Sequence, residues 1–167
     1  MIKKIKTFFL LIITVLLLSI SCERDDICPA STPTTPFLII EFFDVAEEGE
    51  NKNVRGLSYI AENSNDTIAV GTTDSIAIPL NTNRNTTKYQ FIRNANNPNI
   101  RNADTIEFIY EVNEVYVNRA CGFKAVYKDL SAIRSIETPA SNNWIRSVSI
   151  EKLNVENEQN THVNIDH

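Results

Sequence analysis

Apolar and polar residues alternate with a period of two along much of the chain. The pattern is clearest over residues 76–80, 89–91 and 106–112, where large apolar side chains recur at every second position. Because successive side chains of a strand point to opposite faces of its sheet, these runs predict half-buried β-strands. Residues 37–43 are apolar on both faces apart from Glu41, which predicts a central strand covered on both sides.

Short runs rich in β-branched and aromatic residues continue the pattern between clusters of Asn, Asp, Pro, Ser and Thr. The further strand candidates are 57–61, 115–117, 123–127, 147–155 and 163–165. A tight hairpin is expected at 112–115, and the one helix candidate is 129–136, with Asp129 as its N-cap. The sequence therefore predicts an all-β fold, a single β-sandwich of about seven to nine strands that is immunoglobulin-like or similar, with a closed barrel as the alternative.

The N-terminal segment places Lys3, Lys4 and Lys6 before an apolar run over 8–18, and small residues then lead to Cys22. At about 1.5 Å per helical residue the run spans roughly 16 Å, about half of the roughly 30 Å hydrocarbon core, so it is too short for a permanent membrane span. The segment predicts a cleaved secretory signal.

A cysteine directly after a small residue at the end of such a signal resembles a bacterial lipobox, in which the thiol takes a diacylglycerol and becomes the mature N-terminus. Ordinary cleavage after Ser21 is the alternative. The expected organisation is a lipoprotein signal peptide over 1–21, a lipidated cysteine with a short tether and a Pro- and Thr-rich lead-in over 22–36, and the β-sandwich over 37–167.

The chain has three cysteines, Cys22, Cys28 and Cys121. An unpaired thiol is unusual in an oxidising compartment, and lipidation of Cys22 leaves one pair. We therefore expect a disulfide between Cys28 and Cys121, with two reduced, buried thiols as the alternative. Only residues 23–27 separate Cys22 from Cys28, a reach of roughly 20 Å at most, which favours a partner in or beside the membrane.

The charge balance excludes some classes of partner. The formal net charge of the whole chain is −5, and the leader contains lysines but no acidic residue, so the mature chain is more acidic still. This argues against nucleic acid and against electrostatic docking on anionic lipid head groups. Attachment to the membrane is expected through the acyl chains on Cys22.

No motif for catalysis stands out. Both histidines, His162 and His167, lie in the last six residues, where a frayed terminus is expected. The four glycines are scattered singly, so no phosphate-binding loop is formed. We predict a protein that is not an enzyme and has no cofactor, no metal site and no catalytic residue. Trp144 is either a core residue or a platform for stacking a sugar ring.

Four parts of the chain together resemble a known family. They are Asp-Ile-Cys-Pro at 26–29 with Thr-Pro-Thr-Thr-Pro at 32–36, Leu-Ile-Ile-Glu-Phe at 38–42, Val-Tyr-Val-Asn-Arg-Ala-Cys-Gly at 115–122, and Asn-Asn-Trp-Ile at 142–145. The family consists of small, uncharacterised lipoproteins from Bacteroidota and is known only as domain of unknown function family 6452. The resemblance implies a lipoprotein, strengthens the pairing of Cys28 with Cys121, and implies no activity.

A small repeat consists of Asp, a hydroxyl residue and Ile, with the hydroxyl at Thr67, Ser75 and Thr105. It is similar to the O-glycosylation motif of exported Bacteroidota proteins, which makes these three residues candidate glycosylation sites. An Asp before a β-branched pair is also how a strand begins after a turn.

These observations predict a non-enzymatic lipoprotein of the outer membrane, anchored through Cys22 on its periplasmic or its outer face. Its β-sandwich is expected to bind or support another envelope component, and the preferred partner is an outer-membrane β-barrel protein. The alternative function is binding of a glycan or another small ligand, with Trp144 as a contact.

Overall fold

A computed structural model describes residues 27–167 of the chain. This part contains nine strands, one short 3-10 turn at Ala140–Asn142 and no α-helix. The strands are β1 (Leu38–Phe43), β2 (Val54–Ala61), β3 (Ile68–Thr73), β4 (Ser75–Ile78), β5 (Thr86–Arg93), β6 (Asn102–Asn118), β7 (Gly122–Arg134), β8 (Ser147–Ile150) and β9 (Val163–Asp166).

The strands form two sheets, one in the order β4-β1-β9-β8 and the other in the order β3-β2-β5-β6-β7. The two sheets pack together as a β-sandwich, so the predicted all-β fold and strand number are confirmed. Within the first sheet β1 pairs antiparallel with β4 and parallel with β9.

Alternate residues of each strand form the core. Ile106, Phe108 and Tyr110 of β6 are buried, as their period of two predicted. β1 lies in the middle of its sheet, but burial alternates along it, and Ile39 and Phe43 are only half-buried. The prediction that both faces of this strand are covered was therefore wrong, because the fold has two layers and only one face of each sheet meets the other.

Three tyrosines of the five-stranded sheet hold the segment that crosses from β4 to β5. Their hydroxyl groups donate to three consecutive backbone carbonyls: Tyr89 to Pro79 at 2.7 Å, Tyr127 to Leu80 at 3.1 Å and Tyr110 to Asn81 at 3.0 Å. The rings of Tyr110 and Tyr127 also meet edge to face, with centroids 5.0 Å apart. These bonds attach the segment between β4 and β5, which connects the two sheets, to the inner face of the five-stranded sheet.

The helix expected at 129–136 is wrong, because β7 runs through most of it. Asp129 has a φ of 52°, in the left-handed region. On the segment opposite, the Tyr127 N–H donates to Val155 and the Leu130 N–H donates to Leu153, so three residue steps on β7 face two on the other side. This bulge spaces the buried Tyr127 and Leu130 three apart, a spacing that imitates a helix.

The hairpin expected at 112–115 is also wrong. β6 continues through these residues to Asn118, and the turn into β7 comes at 119–121. Val115 and Tyr116 are exposed, 41% and 58% respectively, so hydrophobicity did not mark burial here.

The strand predicted at 163–165 is confirmed as β9, whereas the frayed terminus expected around the two histidines is wrong. β9 pairs with β1 on one side and with β8 on the other. His162, directly before β9, is 2% exposed. Its backbone N–H donates to the Ile39 carbonyl at 3.0 Å, and its own carbonyl accepts from Glu151 at 2.8 Å. The last residues therefore complete a sheet.

Candidate functional site

The chain divides into two compact units. The larger consists of Pro33–Tyr116 and Phe123–His167, and the described part of the smaller consists of residues 27–32 and Val117–Gly122. In the smaller unit a disulfide joins Cys28 to Cys121, with Cα atoms 4.9 Å apart, which confirms the predicted pairing. Cys22, the predicted lipidation site, lies outside the described residues.

The larger unit contains a cavity of about 570 Å³, which we call the basic pocket. It lies where the start of β2, the outer strand β3, the end of β5 and the residue after β9 come together. The lining residues are Lys52, Asn53, Val54, Arg55, Thr72, Arg93, Asn94 and His167.

Two irregular segments shape this pocket. β2 has register shifts between Val54 and Leu57, and Gly56 there has a φ of 54°, which favours glycine. At the end of β5, Asn94 has a φ of 52°, and its N–H donates to the Arg55 carbonyl at 2.8 Å. The turn after β5 is thereby hydrogen-bonded to the bulged start of β2, which brings Arg55 and Arg93 to one cavity.

Arg93 is a half-buried cation in the pocket. Its guanidinium carbon lies 6.0 Å from the centroid of the Trp144 ring. Its Nε is buried and has no hydrogen-bond partner. Burial lowers the pKa of Arg93, the charge of Arg146 lowers it further, and Asp104 offsets part of this effect. Arg93 is thus a partly desolvated cation with an unused donor.

Lys52 is held in place by two oxygens. Its Nζ lies 3.0 Å from Asp44 Oδ1 and 3.0 Å from the backbone oxygen of His167. The His167 Nε2 lies 3.2 Å from the Lys52 carbonyl, which can only accept, so this nitrogen carries the proton. Burial lowers the pKa of His167, and the charges of Lys52 and Arg93 add to this, although the bond to the Lys52 carbonyl and the charge of Asp44 oppose it. The ring is therefore neutral at pH 7.

No Asp or Glu is among the residues that line the basic pocket. Lys52 is paired with Asp44, so Arg55 and Arg93 are the cations that make the pocket positive, on a chain whose net charge is −5. The amides of Asn53 and Asn94 and the hydroxyl of Thr72 add polar groups. Such an arrangement can bind and orient a polar ligand.

Trp144 is 1% exposed, and its Nε1 donates to the Phe91 carbonyl at 3.2 Å. The proposed role of Trp144 in stacking a sugar is therefore corrected, because neither face of a core ring is open to a ligand. The interpretation as a core residue is right. The indole instead supports the pocket from beneath, since it packs against Arg93 and His167.

The three candidate glycosylation sites differ in surroundings. Thr67 and Ser75 are exposed, whereas Thr105 is half-buried within β6. Asp104, the acidic residue of the third motif, is buried and accepts from Asn143 Nδ2 at 2.8 Å and from the Ile145 N–H at 2.7 Å. This aspartate has a structural role.

The sequence did not reveal the basic pocket. Its residues come from four separate places in the chain, and none belongs to a local motif. Across residues 27–167, no group of three or more His, Cys, Asp or Glu side chains is placed to hold a metal ion. In the same range no helix is long and apolar enough to cross a membrane.

The model of a family of unknown function (DUF6452) matches residues 56–167, more than half of the chain. The matched range includes Cys121 and the segment 142–145, and it begins after Cys28. No curated protein and no solved structure matches the chain.

Proposed function

The chain therefore belongs to the family of unknown function DUF6452, and we propose that it is a non-enzymatic lipoprotein of the bacterial outer membrane whose β-sandwich binds a small polar ligand. In this proposal the anchor is a lipid on Cys22 and the ligand site is the basic pocket. The observation that carries the ligand-binding role is the convergence of Lys52, Arg55 and Arg93 on one cavity of about 570 Å³. Ligand pockets of proteins commonly have volumes of about 300–1,000 Å³.

The anchor is supported by the sequence before the described residues. The short apolar run and the cysteine after it are typical of lipoproteins, and the bond between Cys28 and Cys121 leaves Cys22 as the one unpaired cysteine of the three. Labelling cells with an alkyne fatty acid tests this part. We expect the wild type to be labelled and Cys22→Ser to be unlabelled; equal labelling of both would contradict the anchor.

The ligand site is tested by nuclear magnetic resonance of the protein in detergent, with a panel of neutral and acidic saccharides. We expect a binding saccharide to shift the backbone amides of Lys52, Arg55 and Asn94. Thr72→Trp fills the pocket without removing a charge and should abolish the shifts, whereas Gln159→Trp, on an exposed loop, should leave them unchanged. Shifts that persist in Thr72→Trp would place the ligand elsewhere.

A second candidate function is support of an outer-membrane β-barrel protein, and the outer strand β3 favours it. All but the last residue of β3 are exposed, including Ile68 at 47% and Val70 at 38%, and the strand carries no charge and no proline. Edge strands of monomeric proteins usually carry a charged residue or a proline, because the free backbone groups of an edge can otherwise pair with another strand. β3 has neither, so it can accept a strand from a partner.

This candidate is tested by a photo-crosslinking residue at Val70 in living cells, with Ile136, also exposed, as the control position. We expect a discrete adduct with a membrane protein from Val70 only. The same products from both positions would remove the support for this partner.

A further inference from the structure

We infer that the ligand of the basic pocket carries an oxyanion, a carboxylate or a phosphate group, on a saccharide body, and that Arg93 is the residue that anchors this group. This inference rests on the proposed function of the pocket as a ligand site. It adds the chemical class of the ligand and the residue that recognises it.

The first argument is the unused hydrogen-bonding capacity of Arg93. Its Nε is buried without a partner. A buried donor that has lost water and gained no acceptor destabilises the protein, so such groups are rare and indicate a missing acceptor: a water, an ion or a ligand. A guanidinium presents its N–H groups as a planar fork that matches the two oxygens of a carboxylate or phosphate.

The second argument is that Arg93 forms no ion pair within residues 27–167. Asp104 raises its pKa through its charge, but the oxygens of Asp104 accept from Asn143 and the Ile145 N–H rather than from Arg93. In residues 27–167 no carboxylate lies within ion-pair distance of Arg93 or Arg55. An anion from outside the chain would supply the missing charge.

The third argument is the arrangement of charge by depth. Arg55 is exposed at the surface of the pocket, whereas Arg93 is half-buried beside the Trp144 ring. An anion in the pocket can meet the exposed Arg55 first and the half-buried Arg93 deeper in, where weaker solvation strengthens the attraction.

The saccharide body follows from the size and the other lining groups of the pocket. A cavity of about 570 Å³ is larger than a carboxylate or phosphate alone needs. Asn53, Asn94 and Thr72 offer amide and hydroxyl groups, which are suited to the hydroxyls of a sugar. Trp144 lies beneath Arg93 and takes no direct part in sugar stacking.

The experiment measures binding to the full chain in detergent by calorimetry, with pairs of probes that differ in charge. Glucuronate and glucose 6-phosphate are each compared with glucose, and inorganic phosphate tests the oxyanion alone. We expect saturable binding of the charged sugars, weaker binding of phosphate and none of glucose over the same concentration range.

The variants identify the anchor. Arg93→Gln should weaken binding of the charged sugars about tenfold or more, and Arg93→Lys should restore part of it, because lysine keeps the charge and loses the fork. Arg55→Gln, at an exposed position, should weaken binding severalfold and keeps the test valid if Arg93→Gln fails to fold. Arg101→Gln, an exposed arginine outside the pocket, is the control for net charge and should not change it.

The outcomes separate the two levels of the proposal. Equal binding of glucose and glucuronate, unaffected by Arg93→Gln, would overturn the oxyanion and leave the pocket as a ligand site. No binding of any probe, together with unshifted pocket amides, would overturn both. Binding of phosphatidylglycerol in nanodiscs, but of no soluble sugar, through Arg93 would overturn the saccharide body and assign the oxyanion to a lipid phosphate.

Discussion

The Nδ1 of His162 accepts the backbone N–H of Ile39 at 3.0 Å, while the backbone N–H of His162 donates to the Ile39 carbonyl at 3.0 Å. One residue thus satisfies both backbone groups of Ile39. The parallel pairing of β1 with β9 starts one residue later, at Ile40 and Val163. The imidazole nitrogen therefore adds one hydrogen bond to the β1–β9 pairing, because it accepts the Ile39 N–H as a backbone carbonyl of a longer β9 would.

We therefore expect His162→Ala to lower the free energy of unfolding by about 2–4 kcal/mol, because it leaves the Ile39 N–H unpaired and opens a cavity. Urea denaturation measures the change. The control is Gln159→Ala, on the exposed loop that precedes His162, and this substitution should change the free energy of unfolding by no more than about 0.5 kcal/mol. A neutral effect of His162→Ala would show that this bond contributes nothing to stability.

Stability should also fall in mild acid. Burial lowers the pKa of His162 below its usual 6.5, although the backbone of Asn157 and the charge of Glu158 oppose the effect, and burial lowers the pKa of His167 as well. Because the folded state disfavours the protonated rings, stability is full above pH 6.5 and declines as the pH falls below it. Urea unfolding between pH 5 and 8 should show this slope, and His162→Asn should flatten it. An unchanged slope in that variant would exclude His162 as its source.

At high pH the tyrosine cluster should become the weak point. Burial raises the pKa of Tyr89 and of Tyr127 to about 12, from 10. The folded state therefore holds both hydroxyls protonated, so stability is full below pH 10 and is lost as the pH rises from 10 towards 12. Absorbance of tyrosinate at alkaline pH should show these residues ionising together with unfolding.

The same cluster should respond to loss of one hydroxyl. Tyr127→Phe leaves the Leu80 carbonyl without its donor and should cost about 1–3 kcal/mol. Tyr116→Phe is the matched control, since this tyrosine is 58% exposed, and it should be close to neutral. Equal effects of the two substitutions would argue that the hydrogen bond from Tyr127 to the Leu80 carbonyl does not stabilise the fold.

The disulfide should contribute strongly to stability. Cys28 and Cys121 are 93 positions apart, and a loop of that length corresponds to roughly 4–5 kcal/mol in the chain-entropy model. We expect the double variant Cys28→Ser with Cys121→Ser to unfold at lower urea, and Cys22→Ser to keep the bond. Alkylation of unfolded, non-reduced protein checks the pairing: two reactive thiols in Cys22→Ser would refute it.

We expect O-glycosylation of the repeated motif at Thr67 and Ser75 rather than at Thr105. The first two are exposed, whereas Thr105 is half-buried and its N–H donates to Ser135. Mass spectrometry of protein from its native cells measures occupancy at each site. Modification at Thr105 alone would contradict this ranking.

Sequence periodicity predicted the strands whose alternation is regular, such as β4, β5 and the first half of β6. It failed where backbone irregularity breaks the alternation. The left-handed Asp129 shifts the pattern of β7 by one residue, and exposed apolar residues at Val115 and Tyr116 imitate a new strand. The strand at 163–165 was predicted, but the order of His162 before it was not, because its bonds to Ile39 connect positions far apart in the chain.

The disulfide could be predicted because counting cysteines needs no geometry. The basic pocket could not, since Lys52, Thr72, Arg93 and His167 are brought together by strand pairing alone. Lys52 and Arg55 follow three glutamates at 47, 48 and 50, so the sequence has no local excess of positive charge there.

The place of β9 in its sheet also determines when the domain can form. Ile39 and His162 are 123 positions apart, and β9 lies between β1 and β8. A chain that is synthesised from its N-terminus exposes the edge of β1 until residues 163–166 have followed. Pairings this distant make folding slow. Until then the apolar Leu38, Ile40 and Phe42 lack the neighbouring strand, so the interval before β9 arrives is the stage at which aggregation of this domain is most favoured.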